Sequence, residues 1–272
     1  RSSVSAPTVP RGEERVLNER ATLARGVVSP RYGGAPITST TRPPPQALQG
    51  IVRALWAARW DLQDRAPHTI RMVSDPCVNL ALEEGRSRVV GVWTDLWERT
   101  LEGAGTIRAA KLCSGAVRRI LDTPAHTLTG RIHPLGAVIG DQAAAALERQ
   151  VLDPDDTAGL AALEAWLLER RRPTSEHVEL AIAAVERIRT QPDLRTVDGL
   201  SDEMEMSVRS LQRLFREHVG ASTKWVIRHH RLQEAATRLS RGELSSLGDL
   251  AHELGYADQA HFARDWKAAT DV

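Results

Sequence analysis

The chain has 272 residues, with 36 Lys+Arg against 35 Asp+Glu and 42% hydrophobic residues; that length suits two domains, and near-neutral charge names no strongly charged partner for the chain as a whole. Two cysteines, Cys77 and Cys113, exclude a disulfide scaffold and fit a reducing, cytoplasmic setting. No apolar run approaches the length of a membrane span, and no charged-then-apolar leader opens the chain, which argues against both a membrane protein and secretion.

Residues 1–47 are rich in Arg, Pro, Ser, Thr and Gly, with SPRYGG at Ser29–Gly34 and RPPP at Arg42–Pro45. This composition predicts a flexible tail. Residues 1–60 hold nine Arg and three Asp+Glu, a net of +6. A basic arm of this kind could lend nonspecific affinity for DNA, but a solvated tail is the simpler role.

Residues 48–140 read as β-rich. LWAARWDL, HTIRMV, CVNLALE, SRVVGVWT and TIRAAKL are short apolar or alternating runs separated by Gly, Pro, Asp and Ser. Together they predict a small antiparallel barrel or sandwich. Trp56, Trp60, Trp93 and Trp97 could line an apolar ligand cavity, with Arg59, Arg71 and Lys111 as anchors for an anion. Ordinary core packing and exposed strand positions are the competing roles.

Residues 141–192 turn helical. In HVELAIAAVERIRT the positions Val178, Ala181, Ile182, Val185 and Ile188 form one stripe. These helices link two domains, form a dimer interface or pack on their own chain. Pro154 and Pro173 punctuate them, and Gln191-Pro192-Asp193 marks the boundary before the last domain.

Residues 193–272 contain one helical pattern twice. LSDEMEMSVRSLQRLF begins at Leu200, and LAHELGYADQAHFARDW begins at Leu250. The offset is 50 residues for the first helix of each copy and 51 for the second. In the first copy Ser207 is a suitable N-cap, and Val208, Leu211, Leu214 and Phe215 face inward. Arg209, Gln212, Arg213 and Arg216 are left outside. In the second copy Asp258 is the cap, Phe262, Ala263 and Trp266 face inward, and Gln259, His261 and Arg264 face out with Lys267 beyond them. Outward Arg and Gln are what a major groove requires, because Arg can bond guanine and Gln adenine in a fork. Between the copies, Ser222 caps a long helix with Trp225, Val226, Leu232, Ala235, Ala236 and Leu239 along one side and Gly242 as its stop. Such a connector would fix two heads ~34 Å apart, the spacing of successive major grooves.

On the strings SVRSLQRLFREHVGAS, RLQEAATRL and LAHELGYADQAHFARDWKAAT, residues 195–272 resemble the AraC/XylS transcriptional regulators. The resemblance implies an all-helical DNA-binding domain with a recognition helix in each half. It carries base contact to Arg209, Gln212 and Arg213, and to Gln259, Ala260, His261 and Arg264. The fold class expected is α+β: an antiparallel β-rich, cupin-like domain for effector binding or dimerisation, a helical linker, and a domain with two helix-turn-helix motifs. VRALWAARWDL, SDPCVNLALE and RIHPLGAVIG resemble the N-terminal domain of an actinobacterial-type branch. The implied partners are double-stranded DNA, a small-molecule effector, RNA polymerase and a second copy of the chain; activation or repression would depend on where the DNA site lies.

This chain departs from the family pattern. Glu205 stands where the first turn usually has Gly, so it must avoid positive φ or bear strain. Ala260 offers only a methyl group, and Trp266 replaces a Phe. The chain stops at Val272, before the family's Gly-x-x-Pro-x-x-Tyr segment, and opens at Arg1 without Met, so either an incomplete second half or a partial chain is expected. Residues 196–272 hold 10 Lys+Arg and 12 Asp+Glu, a net of −2. Any basic surface must therefore be local, drawn from Arg209, Arg213, Arg216, Lys224, Arg228, Arg231 and Arg264, with the acids elsewhere.

Enzymatic chemistry finds little support, and neither cofactor nor metal is expected. His126 and His133 are seven apart without further ligands, and His229-His230 lies mid-helix where phosphate or solvent would meet it. Pro76-Cys77-Val78 lacks the adjacent His that would activate a thiolate. The alternative that stays open is a β-rich ligand-binding or enzymatic module with a degenerate helix-turn-helix tail.

Overall fold

The computed structural model describes residues 37–152, 155–241 and 246–270. The strands are β1 (Ile37–Arg42), β2 (Val52–Leu62), β3 (His68–Val73), β4 (Asn79–Leu82), β5 (Arg88–Val90), β6 (Leu96–Leu101), β7 (Gly103–Leu112) and β8 (Ile132–Pro134). Six of them form one antiparallel sheet in the order β1-β2-β7-β4-β5-β8, and β3 and β6 form a separate antiparallel ribbon. The N-terminal region is therefore antiparallel and strand-rich, followed by a helical C-terminal region.

The period of two along β2 and β7 divides the interior. On β2, Leu55 and Ala57 join a core shared with the helices, whereas Trp56, Ala58, Trp60 and Leu62 face a second core that also holds Leu101 and Ile70 of the ribbon. On β7, Ala110 and Leu112 go to the first core, and Ile107 and Ala109 to the second. The sheet is thus covered on one face by helices and on the other by β3 and β6.

The short helices α1 (Ala125–Leu128) and α2 (Leu135–Ile139) lead to α3 (Asp141–Val151), α4 (Asp156–Arg170) and α5 (Glu176–Thr190). Leu160, Leu163 and Leu167 of α4 bury against the sheet, and Val178, Ala181, Val185 and Ile188 of α5 are buried, with Ile182 half-buried. The expected stripe on α5 therefore packs on its own chain. Arg108, 1% exposed, donates to Asp156 from Nε at 3.0 Å and to the Val151 carbonyl at 2.8 Å, and Arg59 pairs with Asp156 at 2.6 Å. These bonds hold the Asp156 carboxyl below its usual range, the Arg59 hydrogen bond being the main cause. They pin the start of α4 to β2 and β7.

Several expectations are corrected here. Ile37–Arg42 is a strand, not tail; it pairs with β2 from Ile37↔Trp60 to Arg42↔Leu55. Residues 1–36, Pro154 and Gly242 lie outside the described residues. The anion anchors are already paired: Arg59 with Asp156, Arg71 with Glu98 and Lys111 with Asp75. The four tryptophans do not share one cavity, since Trp56 and Trp60 belong to the second core whereas Trp93 and Trp97 pack edge to face at 5.0 Å. His126 lies on α1, 3.7 Å from Glu217, and His133 lies on β8; among the described residues no group of three His, Cys, Asp or Glu could hold a metal. No helix of the described residues is long and apolar enough to cross a membrane.

Candidate nucleic-acid interface

The helices after Pro192 are α6 (Val197–Glu203), α7 (Val208–Leu214), α8 (Thr223–Arg241), α9 (Leu247–Glu253) and α10 (Gln259–Thr270), with a π-helical turn at Phe215–Val219 that prolongs α7. The two turns superimpose bond for bond. Met204 N–H donates to the Leu200 carbonyl at 3.0 Å, and Leu254 N–H to that of Leu250 at 2.9 Å. Met206 N–H donates to Ser201 at 3.0 Å, and Tyr256 N–H to Ala251 at 2.9 Å. Between them stand Glu205 at φ +50° and Gly255 at φ +75°. Glu205 does not avoid the left-handed region; it occupies it, as the sole non-glycine among the described residues with positive φ. Gly255 has a further reason to lack a side chain, because a Cβ there would lie 2.4 Å from Arg195 Cδ.

The second helix of each unit begins with the expected cap. Ser207 Oγ accepts from Ser210 N–H at 3.2 Å, and Asp258 Oδ1 accepts from His261 N–H at 2.6 Å. Behind α7, Leu211, Leu214 and Phe215 are buried; behind α10, Phe262 is buried and Trp266 half-buried. Ala263, expected inside, is exposed: on α10 the inward row runs Phe262, Trp266, Ala269, three to four residues apart, and Ala263 falls on the next face.

Every base-contact candidate is exposed: Arg209, Gln212, Arg213 and Arg216 on α7 and its π turn, and Gln259, Ala260, His261 and Arg264 on α10, with Lys267 beyond. Arg209, Gln212, Arg213, Arg216 and Arg264 make no side-chain hydrogen bond or ion pair with the described residues. The His261 ring packs edge to face on Tyr256 at 5.2 Å, so it is oriented from beneath. Two residues of the expected basic surface serve the fold instead. Arg231 donates to the Arg195 carbonyl at 2.6 Å and lies over the Tyr256 ring, and Arg228 lies 3.7 Å from Asp265. Three of the acids are paired: Glu203 with Arg187, Glu253 with Arg238 and, on the π turn that prolongs α7, Glu217 with Arg118. Arg187 and Arg118, both outside residues 196–272, thus each neutralise one acid of this region.

Ser222 Oγ accepts from Trp225 N–H at 3.2 Å at the start of α8. One side of α8 docks on the N-terminal region. Trp225 Nε1 donates to the Thr94 carbonyl at 3.3 Å, and Gln233 Nε2 to Asp75 Oδ1 at 2.7 Å. His229 and His230 are turned into this junction, not toward solvent or phosphate as their position suggested. His229 is 4% exposed and stacks on Trp225 at 4.4 Å. Burial lowers the His229 ring to about 3 and the His230 ring to about 4. Burial alone would raise the neighbouring Asp75 carboxyl, but Lys111 at 2.8 Å, Arg53 and Gln233 hold it below its usual range. Cys77 is buried beside Ser114 and its thiol is raised by burial; Cys113 is pushed up to about 12 by the same cause. Neither presents a thiolate near neutral pH. Sequence reasoning missed this junction because its partners lie far apart in the chain.

Paired turns, capped second helices and one long connecting helix define a tandem helix-turn-helix domain. Residues 200–272 match a family model described as Helix-turn-helix domain, and residues 40–134 match one described as Domain of unknown function (DUF6597). The HTH-type transcriptional activator RhaS of Pectobacterium atrosepticum is 31% identical over 71 residues, covering 26% of this chain and 25% of RhaS. The shared segment thus spans about a quarter of that relative. Solved structures of ToxT from Vibrio cholerae align at TM-score 0.40 with 6% identity, covering 87% of this chain and 94% of that one, and, for the unsaturated fatty acid bound wild type, at 0.37 with 9% identity, covering 87% and 91%. The C-terminal region is a helix-turn-helix domain of the AraC type.

Proposed function

We propose that this protein is a sequence-specific DNA-binding transcriptional regulator whose helices α7 and α10 enter adjacent major grooves. The observation that carries this is the pair of matched, outward faces: Arg209, Gln212 and Arg213 on one helix, Gln259, His261 and Arg264 on the other, both free of acidic partners. Arg and Gln forks read base edges, while Arg216, Lys224 and Lys267 hold phosphates and set the register. Ala260 contributes a methyl contact. Its place of action is the cytoplasm, and its further partners are RNA polymerase, a second copy of the chain and a small-molecule effector held by the N-terminal region. A cleft of about 1470 Å³ beside Trp60, Arg99 and Glu148, lined mainly by charged and polar side chains, offers room for a polar effector. No enzymatic step is assigned.

The test is a gel shift on DNA upstream of the gene, followed by selection of bound sequences from random DNA. The wild-type chain should shift a specific fragment and select a two-part site. Absence of any shift at low salt, or selection of no preferred sequence, overturns the proposal and favours a ligand-binding module with a degenerate tail.

A further inference from the structure

We infer that a second, smaller cleft, walled by Arg118, Arg119, Arg172, His177 and His218, is a binding site for a small organic anion bearing a carboxylate or phosphate. Its volume is about 360 Å³, within the range of small-molecule sites. Three parts of the fold build it: the segment after β7, the start of α5, and the π turn Phe215–Val219.

The cleft has more cation than it can satisfy. Arg118 donates to Glu217 at 2.6 Å, and Arg172 pairs with Asp122 at 3.0 Å. Arg119 makes no close ion pair among the described residues, with only the more distant Glu179 acting on it; its Nε donates to the Arg172 carbonyl at 2.7 Å. A guanidinium fork with donors to spare matches a carboxylate or phosphate in geometry and charge. His218 supplies the second observation. It is 8% exposed, lines the cleft, and its Nδ1 has no hydrogen-bond partner among the described residues. Its ring stacks on His177 at 6.3 Å with planes 14° apart, which fixes its orientation. A buried polar nitrogen without a partner is costly, and a shift of the cleft wall that brought a ligand oxygen to Nδ1 would relieve that cost. The start of α5 adds a partial positive charge, offset in part by Glu176 and Glu179 in its first turn. In the larger cleft the deep cations are already used, since Arg59 and Arg108 bind Asp156 and Arg99 binds Glu83.

The position of the cleft gives the ligand a route to the DNA face. The π turn lining it continues α7 without a break, and such turns often mark functional sites. That consequence rests on the regulator proposal; the binding itself does not.

The test titrates the full chain with citrate and with glucose 6-phosphate by calorimetry at low ionic strength. Saturable one-to-one binding of either supports the site, and which probe binds tells carboxylate from phosphate. Arg119→Gln should weaken that binding about tenfold, the loss of one charge-assisted hydrogen bond, while its unfolding midpoint in the absence of anion falls only slightly through loss of the bond to the Arg172 carbonyl. If Arg119→Gln does not fold, Arg172→Gln takes its place with the same expectation. No saturable binding of either probe, or equal binding by wild type and variant, overturns the site. A chain that shifts DNA but binds neither anion sinks this inference alone; one that binds anion but no DNA sinks the regulator proposal alone.

Discussion

Behind α7, the side chains of Leu211, Leu214 and Phe215 enter a core that continues through α5 and α4 to the sheet. Behind α10, Phe262 packs with Leu232, Ala235, Leu250, Ala251, Leu254 and Tyr256 in a small core of their own. The turns are alike and the foundations are not. The first unit is part of the N-terminal body, whereas the second hangs from α8, helped by an approach of α10 to β3 and by Arg195, which donates to the Glu253 carbonyl at 3.1 Å. One motif used twice can therefore have two different freedoms of movement.

The largest test of that contrast removes one ring from each core. Phe215→Ala should cost about 3–5 kcal/mol and lower the denaturant midpoint of the whole chain. Phe262→Ala should instead speed amide hydrogen exchange in α9 and α10 while leaving the sheet protected. Equal, chain-wide loss of protection in both variants would show the two cores to be one.

Acid should act next, at the junction that anchors α8. His229 and His230 are held neutral by burial, at about 3 and about 4, facing Asp75, Arg53, Glu186 and Arg228. An unfolded His takes up a proton near pH 6.5 whereas these do not, so the unfolded chain binds more protons in the interval below that value. Stability should fall by about 1.4 kcal/mol per pH unit for each ring from roughly pH 6.5 down to their folded values. A denaturation series in which His229→Gln and His230→Gln lose none of this slope would count against the assignment.

Base contact separates the halves further. Arg213→Ala should cost about 1–3 kcal/mol at a cognate site and relax sequence preference there. Arg264→Ala should cost less in preference than in affinity, because its neighbour Ala260 reads little. Competition binding against scrambled DNA measures both, and an Arg213→Ala chain with unchanged preference would reverse the assignment of specificity to the first half.

The smallest effect lies in the turns. Glu205→Gly should stabilise the chain by about 1 kcal/mol, since an L side chain at positive φ is strained. Gly255→Ala should destabilise it, because the added methyl meets both that strain and the Arg195 side chain. Thermal unfolding of the pair reads both signs, and a stabilising Gly255→Ala would show the turns to be unequal after all.

The C-terminal units were legible because their information is local. A cap, an inward row and a turn lie within some sixteen residues, and the change of offset from 50 to 51 fell between the Glu205 or Gly255 turn and the second helix. Strands were legible by type from alternation, but not in their order or full number. β1 was hidden by the Arg- and Pro-rich composition around Arg42, and β6 by its charged residues Glu98 and Arg99. The burial of Arg108, His229 and His230 could not be read at all. Each is polar in sequence and is tolerated inside only through partners or packing supplied from elsewhere: Asp156 for Arg108, Trp225 and the Asp75 region for the histidines.

One consequence follows from the way α8 is shared. Gln233 faces the N-terminal region while Leu232 and Ala235, within a turn of it, face the second unit. An α-helix advances about 100° per residue, so the angle between the heads is written in helical phase. Gain or loss of a single residue within α8 would swing one head roughly a quarter turn around the other. An extra base pair in a DNA site turns its far half by only about 35°, at 10–10.5 base pairs per turn. Evolution can therefore retune the spacing of a target site in small angular steps, but it can alter the length of this helix only in large ones.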